Sequence, residues 1–199
     1  MTYRYRPLVL IHGLWDNPNI FRTLINVLNR DESMILKADL KHSFGRYPLK
    51  LLAEKLDQQI ISQLGNKTSI DLLGFSMGGL IGRYWLQKMG GFKRTNSFIS
   101  VGSPHRGTLT AQLIPSSLLQ GIADMKRNSP FLSQLNRDIS PLRNVKCISL
   151  FCRWDLMVIP GSQAILPIGS KIQVPVSSHR ELIVNPISLE LIVNELSYS

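Results

Sequence analysis

A serine set between glycines is the first place where this chain could do chemistry. Gly74-Phe75-Ser76-Met77-Gly78-Gly79 follows an apolar run, Ile70 to Phe75, and precedes residues spaced as an amphipathic helix from Leu80 to Lys88. A strand that turns straight into a helix holds its turning residue in a strained conformation. It also crowds the positions two residues either side, which therefore do best without side chains. Such a turn lifts the Ser76 hydroxyl clear of a sheet. It leaves the Met77 N–H unpaired at a helix N-terminus, aimed at the same point. Alone the pattern is weak, since chance supplies it in roughly one chain in fifteen of this length. Partners elsewhere in the chain must decide.

A serine hydroxyl is a poor nucleophile and needs a base within hydrogen-bond reach, with an acid to orient that base. In a parallel sheet these groups collect at the carboxyl ends of the strands. Of four histidines, His179 follows the last expected strand and precedes the last helix, in a polar loop suited to a base. His105, in Pro104-His105-Arg106-Gly107, also lies past a strand end and is the competitor. His12 follows the first strand, but Gly13 beside it marks an oxyanion loop in which the imidazole orients backbone. His42, in a polar loop, has no particular claim. Among the acids, Asp155 ends a strand, and the order Ser76, Asp155, His179 is the one expected after a strand-to-helix turn of this kind. Asp39 also follows a strand, Asp71 starts one and so sits at the wrong edge, and Asp124 and Asp138 fall between residues 110 and 141. The oxyanion of an acyl-transfer transition state needs donors. Met77 N–H is one and Leu14 N–H, just past His12-Gly13, the other, leaving the Leu14 and Met77 side chains free to line an apolar acyl pocket.

The elements that must position these groups are legible in outline. Leu8 to Ile11 reads as a buried central strand, Met34 to Leu36 as a second, Ile70 to Phe75 as a third. Ser97 to Val101, Val145 to Cys152 and Ile172 to Val176 complete the set. Helical spacing appears at Phe21, Leu24, Ile25 and Leu28, then from Pro48 to a stop at Gly65-Asn66. A terminal helix runs from Leu182 to Leu196, delayed or kinked at Asn185-Pro186. Strands alternating with helices imply a parallel sheet covered on both faces.

The chain has 199 residues, 44% of them hydrophobic, and a formal charge of +10. That suits a single domain over residues 1–199 with a full core. The basic residues are scattered and accompany no nucleic-acid-binding pattern, so a weakly held anionic surface is the most the charge implies. Cys147 and Cys152 fall in one strand at an odd separation, on opposite faces, and cannot bridge each other. With no C-x-x-C and no metal-type Cys/His cluster, they favour a reducing compartment and imply no metal. The N-terminal segment, Met1 to Pro7, leads into an apolar run too short to span a membrane and lacks a signal-peptide cleavage pattern, so a cytoplasmic protein is expected.

Taken together, the chain resembles the lipases and esterases of the α/β-hydrolase superfamily, and especially small bacterial lipases with a reduced sheet. The matching pieces are His12-Gly13-Leu14, Gly74 to Gly79, Gly102-Ser103-Pro104-His105-Arg106-Gly107-Thr108, Asp155-Leu156-Met157-Val158-Ile159-Pro160 and Ser178-His179. The resemblance implies an α/β-hydrolase fold of about six mostly parallel strands in minimal form. It implies Ser76 as nucleophile, Asp155 as acid, His179 as base, and Leu14 and Met77 as oxyanion donors, without a cofactor. It also implies that the Pro-His-Arg-Gly stretch is structural. The expected activity is hydrolysis of carboxylic esters, most of all lipid-like ones. Acyl transfer or thioester cleavage on the same groups, or a non-catalytic binding module, are the alternatives. Residues 110–141 carry Leu113, Ile114, Leu118, Leu119, Ile122, Met125, Phe131, Leu132 and Leu135. They read either as packing helices with a surface loop or as a lid-like wall for an acyl chain, with Lys126 and Arg127 at its rim meeting anionic lipid.

Overall fold

Six strands, all parallel, form one sheet among the described residues, in the order β2-β1-β3-β4-β5-β6. The computed structural model describes residues 5–115 and 119–197. The strands are β1 (Leu8–Ile11), β2 (Ile35–Ala38), β3 (Ile70–Phe75), β4 (Thr95–Val101), β5 (Lys146–Phe151) and β6 (Ser170–Gln173). The helices are α1 (Arg22–Val27), α2 (Leu49–Leu64), α3 (Met77–Lys88), α4 (Leu109–Gln112), α5 (Gln120–Asp124), α6 (Pro130–Arg137), α7 (Glu181–Val184) and α8 (Pro186–Ser197).

Alternation along the central strands divides the core in two. Val9, Ile11 and Leu72 face a layer made by α2, α3 and the segment from Leu119 to Val145. Leu8, Leu10, Leu73 and Ile99 face the layer made by α1, α7 and α8. Successive side chains of a strand point to opposite faces, so the central strands are largely apolar to serve both layers, with buried polar residues such as Asp71 and Ser97 paired to each other. The six residues of β3 are all buried. Cys147 joins the first layer and Cys152 the second, both as free thiols, as their odd spacing predicts.

Three differences from the sequence reading have physical causes. The last strand lies at Ser170–Gln173 rather than Ile172–Val176, because β6 is an edge strand whose limits follow its pairing to β5, with Ile148 opposite Ser170. The terminal helix is two helices, since Pro186 holds Asn185 extended at φ −71°, ψ 137°. The helix after Ser76 begins at once, at Met77.

The segment between β4 and β5 is tied into the fold. Asp124 accepts the Leu49 N–H through Oδ2 at 2.9 Å and so satisfies an orphan donor at the start of α2. The fully buried Arg83 on α3 donates to the carbonyls of His105 and Leu135 and to Asn136 Oδ1, at 2.9 to 3.3 Å. Burial pulls its guanidinium down to about 10, which leaves it charged at neutral pH. Ile122, Met125, Phe131, Leu132 and Leu135 are buried, whereas Leu113 is 86% exposed. Leu118 lies outside the described residues.

Candidate active site

Ser76 sits between β3 and α3 at φ 53°, ψ −124°, a conformation that residues with a side chain seldom adopt. Three glycines make it feasible. A Cβ on Gly74 would stand 2.5 Å from Gly79 Cα, one on Gly78 would stand 2.1 Å from the Ile11 carbonyl oxygen of β1, and one on Gly79 would stand 2.0 Å from Ser103 Oγ. The turn is thus packed against β1 and the β4 loop as well as against itself. The Ser76 N–H is held by the Val101 carbonyl at 2.8 Å. Met77 is the first residue of α3, so its N–H has no intrahelical acceptor.

Leu14 follows β1. Gly13 brings this loop close, since a Cβ there would lie 3.0 Å from Ser76 Cβ. Among the described residues the Leu14 N–H finds no acceptor. Leu14 also lines an apolar cleft of about 100 Å³ beside Ser76, with Pro104, Ala111, Ile114, Ile122, Met125 and Met157. The Met77 side chain does not share that wall. It is fully buried in the α2–α3 layer, among the side chains that pack between those helices and the sheet.

Asp155 lies just beyond β5, 3% exposed, and its two oxygens are used separately. Oδ2 accepts from His179 Nδ1 at 2.7 Å, while Oδ1 accepts the N–H groups of Met157 and Val158 at 2.8 and 2.9 Å. The bond through Nδ1 leaves the lone pair of Nε2 as the basic position. That nitrogen is buried and makes no hydrogen bond among the described residues, Ser76 Oγ included. The ring packs on Phe75 with centroids 4.9 Å apart. It also lies against Gly102, where a Cβ would meet His179 Cε1 at 3.0 Å and where φ is +58°. Gly102 thereby meets two demands at once, and only a solved fold reveals the second.

The other candidates are occupied elsewhere. His105 is fully buried and pairs with Ser100 Oγ at 2.7 Å through Nε2, with burial holding its imidazole well below the usual range. His12 lies in the loop after β1, 3.0 Å from the Gly13 carbonyl, also pulled down by burial. Asp71 meets Arg30 at 3.6 Å and Ser97 Oγ at 2.8 Å near the amino edge of the sheet. Asp39 is exposed, and Asp138 accepts from Ser140. No cluster of three or more His, Cys, Asp or Glu side chains placed to hold a metal occurs among the described residues.

Residues 7–143, spanning Leu14, Ser76 and the Gly102–Thr108 stretch, match the family described as palmitoyl protein thioesterase. The chain belongs to that family. Its similarity to the lysosomal thioesterase PPT2 of Mus musculus is 30% identity over 107 residues, covering 52% of this chain and 35% of that protein. The Homo sapiens lysosomal thioesterase PPT2 matches to the same extent. The chain thus spans about a third of the length of these relatives. Among solved structures, lipase B of Aspergillus fumigatus superposes with a TM-score of 0.79 at 19% identity, over 98% of this chain and 53% of that one. Mature lipase BlEst2 of Bacillus licheniformis gives 0.70 at 15% identity, over 98% and 93%. The fold of this palmitoyl protein thioesterase family member is the α/β-hydrolase fold in a compact form.

Proposed function

We propose that the chain is a serine hydrolase that cleaves acyl esters with apolar acyl groups, using Ser76, His179 and Asp155. The observation that carries this reading is the 2.7 Å bond from His179 Nδ1 to Asp155 Oδ2 beside a serine held at a strained helix start. Ser76 Oγ attacks the acyl carbonyl as His179 Nε2 takes its proton, and Asp155 stabilises the imidazolium. The carbonyl oxygen, now negative, rests on the N–H groups of Leu14 and Met77. Collapse expels the leaving group with the proton from Nε2 and leaves an acyl-Ser76. Water then attacks under the same base, releasing the carboxylic acid and restoring the hydroxyl. The proposed acyl group lies in the cleft walled by Ile114, Ile122 and Met125, which gives part of the 110–141 segment a chain-binding role.

A thioester is the second reading, favoured by the family match and by the named activity of the relatives. A thiolate leaves with less help from a general acid than an alkoxide does, because its conjugate acid is far stronger. Acyl transfer would differ only in an alcohol or thiol replacing water. A binding module that keeps the fold has no need of the His179–Asp155 bond.

Exposed Trp15 and Met157 line the cleft, exposed Leu109, Leu113 and Leu156 are chain neighbours of lining residues, and Lys126 and Arg127 pack against Gly107, next to the lining residue Thr108. This supports brief contact with an anionic membrane surface. No helix among the described residues is long and apolar enough to cross a membrane. Two cysteines on opposite faces of the sheet are in keeping with a reducing, cytoplasmic setting.

Initial rates on p-nitrophenyl esters and acyl thioesters from two to sixteen carbons, for wild type and Ser76→Ala, test the reading. Turnover that rises with chain length and vanishes in the variant is expected. Equal rates for the two proteins at every length would refute it. Added alcohol that diverts product into a new ester would make transfer the reaction.

A further inference from the structure

Two loops meet behind the Leu14 N–H, one following β1 at residues 12–16 and one following β2 at residues 39–47. Each lends the other a histidine. The Leu40 N–H donates to His12 Nε2 at 3.2 Å, and the Trp15 N–H donates to His42 Nε2 at 3.2 Å. A backbone N–H can only donate, so Nε2 is the bare nitrogen of both rings. The 3.4 Å approach of the Asp16 carbonyl to His42 Nε2 is therefore no hydrogen bond. In His12 the proton is on Nδ1, which donates to the Gly13 carbonyl at 3.0 Å.

These bonds fall on consecutive peptide planes. The Gly13 carbonyl and the Leu14 N–H belong to one rigid trans unit and point opposite ways. Fixing the carbonyl on His12 aims the N–H away from it. The next unit, Leu14 to Trp15, is fixed by His42. The hold on that second unit matters because Trp15 sits at φ 64°, and Ser43 and Phe44 beside His42 sit at φ 48° and 55°. Residues with side chains rest in that region only where their surroundings hold them there. His42 is itself buried, in a loop that mixes Asp39, Lys41, Ser43 and Arg46 with Leu40, Phe44 and Tyr47.

We propose that His42 is a positioning residue for acyl cleavage, its Nε2 pinning the Trp15 N–H so that the neighbouring Leu14 N–H stays trained on the oxyanion. This rests on the proposed roles of Ser76 and Leu14. Without His42 the Leu14–Trp15 plane relaxes out of its strained conformation and carries the donor with it. The ground-state substrate, held by its acyl chain, loses little.

The test compares His42→Leu, His42→Asn and His42→Gln by steady-state kinetics and by inhibition with an alkyl boronic acid, which mimics the tetrahedral state. In His42→Leu, kcat falls about tenfold to a hundredfold, short of the loss from deleting an oxyanion donor outright. KM stays within about twofold, and boronate affinity drops by the same factor as kcat/KM. His42→Gln, whose amide oxygen reaches Trp15, recovers most of the rate. His42→Asn, one carbon shorter, does not, and it replaces the leucine variant should that one fail to fold. Wild-type kcat in both His42→Leu and His42→Asn overturns the inference while leaving the hydrolase reading intact. The absence of any Ser76-dependent turnover in the wild type overturns both.

Discussion

Asp155 spends one oxygen on His179 and the other on its own loop, and this division makes a sharp prediction. Asn at this position keeps the size but supplies only one acceptor. Whichever way its amide turns, an N–H group faces another donor. Asp155→Asn is expected to lower kcat by about 10³ to 10⁴ while the protein stays folded, as checked by ester turnover beside a thermal melt. Chain order and strand ends favour Ser76, Asp155 and His179 and leave His105 as a competing base, because a nucleophile, an acid and a base at carboxyl edges leave few choices. The roles of Gly102 and His42 are not legible that way. Each depends on a contact with a residue distant in sequence, Gly102 with His179 and His42 with Trp15, which no local pattern announces.

At the scale of elements, the strand-to-helix turn carries the tightest constraint. The sequence argument has Gly74 and Gly78 crowding each other, and the fold adds β1 as the harder wall. Gly78→Ala places a methyl 2.1 Å from the Ile11 carbonyl and should cost about 3 kcal/mol or more in urea denaturation, since backbone must move. Gly90→Ala, at φ 78° but in open space, should cost only about 1 kcal/mol. Similar losses at both positions would argue against the packing of α3 on β1. Strands buried on both faces show as largely apolar runs, which is why β1 and β3 are read to the residue and the edge strand β6 is not. The 110–141 segment is ambiguous for a related reason, since a lid and a packed helix need the same apolar residues. Asp124 capping α2 means that deleting residues 118–125 would unsettle the fold itself. Ile114→Ser is the cleaner probe, expected to depress turnover of long acyl chains several-fold more than that of acetyl esters.

For the molecule as a whole, buried histidines set the response to acid. Burial lowers His12 and lowers His105 far more, from an ordinary value of 6.5. Their unfolded forms take up protons as pH falls through 6.5 while the folded forms do not. Stability is therefore full above that pH and declines below it, by up to about 1.4 kcal/mol per pH unit for each histidine. Asp16 and Asp124 are raised by burial, and their opposite contribution begins nearer the ordinary carboxylate range. Melting temperatures between pH 7.5 and 5 should fall steadily, and less steeply in His105→Asn. A flat profile would mean that these rings protonate freely in the folded protein.

The central claim is that Ser76 is a nucleophile activated by His179, and covalent trapping tests it most directly. Wild type, Ser76→Ala and His179→Gln are treated with a fluorophosphonate, digested, and read by mass spectrometry. The account predicts one phosphonyl adduct on the peptide bearing Ser76, absent in Ser76→Ala and formed at least a hundredfold more slowly in His179→Gln. An unmodified Ser76 in the wild type, or modification at the same rate without His179, would contradict it.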